Sequence, residues 1–238
     1  MIAVFKRDFI GYFTSAIGYV YIGSYILVLN LMFYLENMLG SNSSIANLFS
    51  FMLLIMMFIT PILTMRVFSE EFKLKTDQAL YTLPVKMTSV VLGKFLSSVM
   101  VFATLLVLTL LWPLTVSMLG AVNTAEVVGN YVGILCIGAA YISIGIFISS
   151  ATENQVIAAV GSLGVFVALY LLEYLALYFY SGGVLPVWVM RALLFTSIYG
   201  RYTEITQGLL ALDSIVFFLS VCAVFLFLTV RRLEKRKL

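Results

Sequence analysis

Residues 65–85 read Met65-Arg66-Val67-Phe68-Ser69-Glu70-Glu71-Phe72-Lys73-Leu74-Lys75-Thr76-Asp77-Gln78-Ala79-Leu80-Tyr81-Thr82-Leu83-Pro84-Val85, a charged island in a chain that is 63% hydrophobic and only 11% charged. Before it lies the uncharged run Leu48–Met65; after it, beyond Lys86 and Lys94, comes Phe95–Leu119. A bilayer core about 30 Å thick takes roughly 20 apolar residues at about 1.5 Å each, so both runs read as membrane spans. The island is then a loop presented on one side of the membrane. The same criterion, carried outward, adds Ile17–Leu35, Val127–Ile148, Val156–Tyr180 and Ser214–Val230. The expected fold is therefore all-α and integral to the membrane, with six transmembrane helices, the third starting a turn or two before Phe95. A soluble globular domain is excluded, since such domains carry roughly a quarter charged residues.

Orientation follows from the fourteen Lys and Arg residues. Threading the six spans alternately puts Lys6, Arg7, Arg66, Lys73, Lys75, Lys86, Lys94, Arg231, Arg232, Lys235, Arg236 and Lys237 on one side, and only Arg191 and Arg201 on the other. The positive-inside preference then places both termini in the cytoplasm. The net charge of +3 reflects this orientation and not nucleic-acid binding. Lys6 and Arg7 precede a run of full spanning length without a small-residue cleavage site, so the first span is expected to be retained. With no internal repeat or low-complexity linker, residues 1–238 read as one membrane domain.

Three flanking segments refine this picture. Ile2, Phe5, Phe9 and Tyr12 recur at helical spacing with Lys6, Arg7 and Asp8 on other faces, an amphipathic interfacial helix over residues 1–14. Pro186–Ile198 is too short to span. Pro186 can start a short helix and Gly200 end it, with Arg201–Leu212 as a second, so residues 181–213 are expected to form an outer re-entrant hairpin. Trp112 and Trp188 fall near outer ends, where indole favours the interface, and Trp112-Pro113 should kink the third span.

The sequence contains no His, which removes His-ligated metals, Ser-His and Cys-His nucleophile pairs and any imidazole relay. Cys136 and Cys222, each inside an apolar run, read as small packing residues. Within the island, Phe68 and Phe72 stand four apart among acids and bases, giving a short amphipathic helix. Thr76 can cap a second helix that Pro84 ends. The charges best placed for a protein contact are Glu70, Glu71, Lys73 and Lys75; Phe68 and Phe72 either anchor that contact or pack on the bases of spans two and three.

After span four, Ser150-Ala151-Thr152-Glu153 fits a capping box opening span five, with Thr152, Glu153 and Asn154 as a candidate second contact. Glu173 is the one acid well inside an expected span, which makes it a candidate pathway residue with Arg191, Arg201 and Glu204 at the outer gate. Gly138, Gly145, Gly161 and Gly164 are expected to permit close helix crossings.

Arg66-Val67-Phe68-Ser69-Glu70-Glu71, with Thr76, Leu80, Leu83-Pro84-Val85 and Leu92-Gly93-Lys94-Phe95 after it, resembles the signature of type 2 ABC exporter permeases, most closely the gliding-motility GldF-like subgroup. The likeness extends to Phe13-Thr14-Ser15 through Tyr19-Val20, to Ser149–Gln155 and to Thr229–Glu234. Departures occur at Tyr199-Gly200-Arg201-Tyr202, where related chains often carry His, and at Ala16, where Pro is common.

The resemblance implies a permease half with a coupling region over 66–87, a second permease copy or paralogue, two cytoplasmic ATPase subunits, and an auxiliary GldG-like membrane protein. It also implies export as the direction and a prokaryotic inner membrane as the location. The chain lacks Gly-x-x-x-x-Gly-Lys-Ser/Thr, so it is expected to be no enzyme and to bind no cofactor, with ATP and Mg held by the partner. The competing reading is an ion-coupled secondary carrier using Glu173, which would need further ionisable groups within the bilayer.

Overall fold

The computed structural model describes residues 1–40, 46–76, 86–119, 124–182, 186–195, 197–198, 200–202 and 212–237. Among these the regular elements are all helical: α1 (Ile2–Thr14), α2 (Ala16–Phe33) continued by a π-helical turn (Tyr34–Leu39), α3 (Ala46–Thr64), α4 (Arg66–Lys73), α5 (Met87–Thr109), α6 (Leu111–Leu119), α7 (Thr124–Ser149), α8 (Gln155–Ser181), α9 (Val187–Phe195) and α10 (Leu212–Lys237). Six stretches are long and apolar enough to cross a membrane: Ala16–Leu39, Asn47–Lys73, Met87–Met118, Thr124–Ser149, Gln155–Ser181 and Asp213–Arg236. They coincide with the six runs expected.

α7 is the axis of the bundle, packing against α3, α5, α8 and α10. Two glycines let it do so. A Cβ at Gly138 would lie 2.1 Å from the Phe102 ring, and one at Gly145 would lie 2.3 Å from Thr64 Oγ1, so only glycine fits either crossing. Gly161 faces Ile148 at 3.3 Å, whereas Gly164 meets nothing within 4 Å. The expectation of close packing at Gly164 is therefore not met within one chain. Burial differs accordingly: 67% of the apolar window is buried in the spans containing α3 and α7, against 17% in α8.

Proline does not set every bend. Pro61 lies inside α3, and α3 passes at Met65 into α4 with the Met65 N–H still bonded to the Pro61 carbonyl at 2.8 Å, so that junction is not the proline's doing. The third span starts at Met87, two turns ahead of Phe95, and breaks at Leu110, three residues before Pro113. Trp112 does not face the interface as expected. It is buried, stacks on Phe33 with ring centres 6.2 Å apart, and donates from Nε1 to Asn30 Oδ1 at 2.7 Å. An indole N–H that finds a side-chain acceptor on a neighbouring span loses its reason to seek the membrane surface. Trp188 is exposed.

Of the outer hairpin, the first helix is α9, which begins after Pro186 and ends at Phe195. Gly200 does not end it. Its N–H instead donates to Ser197 Oγ at 3.1 Å within a later helical turn. The second helix expected over Arg201–Leu212 falls mostly outside the described residues.

Candidate functional site: the platform at the basic end

α1, α4, the start of α5, the α7–α8 connection and the end of α10 meet at one end of the bundle, the end that carries the twelve basic residues grouped by the threading argument. α4 is the centre. Its amphipathic pattern is as expected, but its apolar face is turned inward: Val67, Phe68, Ser69 and Phe72 are buried, and the two phenyl rings stack 6.0 Å apart. Of the two roles open to Phe68 and Phe72, packing is the one the structure displays.

Beneath α4 lies Lys94, whose side chain is only 4% exposed. Its ammonium donates to the Val67 carbonyl at 2.9 Å, pairs with Glu71 Oε1 at 2.9 Å and Asp8 Oδ2 at 3.2 Å, and sits 5.1 Å from the Phe68 ring centre. A buried ammonium is tolerated only when paired and fully hydrogen-bonded, and here α1 and α4 together supply the partners. Arg7 joins from α1, reaching Asp8 at 2.8 Å and Glu71 Oε1 at 2.9 Å. These contacts, led by the Asp8 hydrogen bond, raise the Arg7 pKa above its ordinary value. Tyr12 completes the seam, its hydroxyl 3.0 Å from Ser98 Oγ and 3.2 Å from the Leu63 carbonyl. Burial pushes that phenol up to about 12. Arg66 pairs with Glu70 at 2.7 Å and donates to Ser15 Oγ at 3.0 Å.

The opposite flank of α4 is held by α7, α8 and α10. Ser149 Oγ accepts from the backbone N–H groups of Phe68 at 3.1 Å and Ser69 at 3.2 Å, and donates to the Met65 carbonyl at 2.9 Å. One hydroxyl from α7 thus satisfies the donors exposed by the break at Met65. Arg232 donates to the Ser150 and Ala151 carbonyls at 3.2 and 3.3 Å. Arg236 pairs with Glu153 and lies 3.9 Å from the Phe72 ring centre, so it touches both the α7–α8 connection and α4.

Several sequence expectations change at this level. The cap of α8 is Asn154, whose side chain accepts from Val156 N at 2.9 Å, and Thr152 Oγ1 accepts from Asn154 N at 3.1 Å. Ser150 instead donates to the Phe147 carbonyl, so the capping box over 150–153 does not form. Asn supplies the same acceptor nearer the first free N–H groups.

Thr76 closes α4: its N–H bonds the Glu71 carbonyl at 3.0 Å while Lys75 N bonds the Phe72 carbonyl at 3.2 Å. This is a Schellman ending, with Lys75 at φ 56° where glycine is usual. The second helix that Thr76 was expected to open lies outside the described residues. Lys73, Lys75 and Thr76 remain exposed, Glu70 is half-buried, and Glu71 is mostly buried, with Oε2 lacking a hydrogen-bond partner.

The outer candidates do not converge in the described residues. Glu173 lies on α8, its side chain outside the described set, as is Glu204. Arg191 is exposed on α9. Arg201 is buried over Phe217, 4.4 Å from the ring centre, with Asp213 at 4.0 Å. Beside it, and unremarked in the sequence, the fully buried Asn130 accepts from the Tyr202 hydroxyl at 2.8 Å.

The family model described as ABC-2 family transporter protein matches residues 9–238. The chain belongs to that family. It is thus a membrane subunit of the ABC transporter type, a class that works with a separate ATPase and is not itself one. No curated protein matches the chain.

Proposed function

We propose that this ABC-2 chain is one permease half of an exporter of the GldF-like subgroup, in the cytoplasmic membrane of a prokaryote with both termini inside. It pairs with a second copy or a paralogue, works with a GldG-like auxiliary protein, and is driven by two cytoplasmic ATPase subunits that carry ATP and Mg. The observation that carries the reading is the joint made by Arg236, which ties Glu153 to Phe72. Two segments that the sequence offers as separate contacts, Glu70 to Thr76 and Thr152 to Asn154, are thereby tied together, with Lys73, Lys75, Thr76, Glu153 and Asn154 exposed on them. A push on them reaches α5 through Lys94 and α7 through Ser149. The exposed apolar face of α8, with Gly164 open, suits a second permease half.

Glu71 serves the internal ion pairs, so the residues that test coupling are its exposed neighbours. With Lys73→Glu and Lys75→Glu combined, the protein should insert and keep its thermal stability while recovering less ATPase subunit when affinity-purified from native membranes. Undiminished recovery and undiminished ATP hydrolysis in the eluate would defeat the coupling assignment.

A further inference from the structure

On the flank of the bundle, reaching the basic end, α5 and α10 line a groove of about 600 Å³. This is within the range of about 300–1,000 Å³ typical of small-ligand sites. Its walls are apolar, with Val91 and Leu92 on one side and Leu219, Cys222, Leu226 and Val230 on the other. Its mouth is polar, formed by Thr88, Arg231 and Glu234. From Leu219 to Glu234 the wall rises roughly 22 Å along the helix axis. One leaflet of hydrocarbon is about 15 Å deep, so the α10 wall runs the depth of a leaflet, while α5 lines the mouth end alone through Thr88, Val91 and Leu92.

The mouth is net basic. Arg231 is 63% exposed and meets Glu234 at 3.6 Å, an exposed pair that binds its members weakly. Its guanidinium lies 5.1 Å from the Phe227 ring centre, which holds it over the groove. Lys86, two residues before Thr88, and Lys235, next to Glu234, are both exposed. Arg231 and Glu234 line the mouth, and the exposed Lys86 and Lys235 lie within two residues of its lining in sequence, so its neighbourhood carries three cations to one carboxylate. Basic pockets between membrane helices recruit anionic headgroups, and the apolar wall selects a molecule with an acyl chain over free phosphate.

We propose that this groove binds one anionic phospholipid from the leaflet at the basic end, an acyl chain lying between α5 and α10 and the phosphate set against Arg231 and Lys86. The proposal rests on the membrane placement of the two helices and not on the ATPase reading, so either can fail alone.

The test is tryptophan quenching by lipids brominated in the acyl chain. Leu219→Trp places an indole at the deep end of the groove, where Leu219 is exposed and the larger ring is accommodated. The protein is reconstituted in phosphatidylcholine nanodiscs containing, at equal mole fraction, brominated phosphatidylglycerol or brominated phosphatidylcholine. The signal of Trp112 and Trp188 is subtracted using the chain without the added indole. Phosphatidylglycerol should quench at lower mole fraction, and Arg231→Gln with Lys86→Gln should cut that preference, by about fivefold for each basic residue. Equal quenching by the two lipids, or a preference untouched by both substitutions, overturns the proposal. Native mass spectrometry of the unsubstituted chain gives an independent reading: one retained anionic phospholipid per chain supports the site, and retention of phosphatidylcholine in equal amount refutes it.

Discussion

The two ends of the bundle solve the same problem, fastening helices together where they leave the apolar core, with different chemistry. At the basic end a single ammonium, Lys94, is shared by Asp8, Glu71, the Val67 carbonyl and the Phe68 ring. At the other end the described fastenings include a neutral hydrogen bond from Tyr202 to Asn130, beside the Arg201 guanidinium that lies over Phe217 and near Asp213. Charge makes the first joint strong only while all its members are present. Removing Lys94 leaves two carboxylates with only the more exposed Arg7, whereas breaking the neutral joint costs its bond and the desolvation of one uncharged group.

The largest expected effect sharpens that contrast. Lys94→Met should cost about 3 kcal/mol, the low end for a broken buried pair, in thermal or denaturant unfolding of the detergent-solubilised chain, because Asp8 and Glu71 lose their buried counter-ion and keep only the more exposed Arg7. Adding Asp8→Asn and Glu71→Gln should restore much of the loss. If the triple variant is no more stable than the single one, the joint depends on shape and not on charge. At the neutral end Asn130→Ala should cost about 1–2 kcal/mol, and a loss as large as that of Lys94→Met would erase the distinction between the ends. The smallest effect has the opposite sign. Lys75→Gly relieves a left-handed backbone at the end of α4 and should stabilise the chain by about 1 kcal/mol.

What was legible in the sequence follows the range of the interactions. The six spans were readable because hydrophobic run length is a local property, and the helix over Arg66–Lys73 because Phe68 and Phe72 repeat within it. The burial of those two rings was legible only as one of two alternatives, since surfaces that help cover them come from α7, α8 and α10. The Lys94 joint was hidden for the same reason: its partners lie on α1 and α4, and only the presence of a lysine seven residues into a spanning helix hinted that acids had to converge on it. The cap at Asn154 competed locally with Ser150-Ala151-Thr152-Glu153, and spacing alone favoured the wrong one. Trp112 went to an acceptor on another span, Asn30, which no pattern near the indole reveals.

The long-range fastenings of α1 lie far downstream: Arg7 reaches Glu71, 64 residues on, and Tyr12 reaches Ser98, 86 residues on. At about 5–20 residues per second, the interval between making Tyr12 and making its partner is roughly 4–17 s. During that time the aromatic row Phe5, Phe9 and Phe13 is what keeps the helix at the membrane surface. α1 can therefore complete its fastenings only once Lys94 and Ser98, near the start of the third span, have been made, which couples its seating to the order in which the spans are assembled.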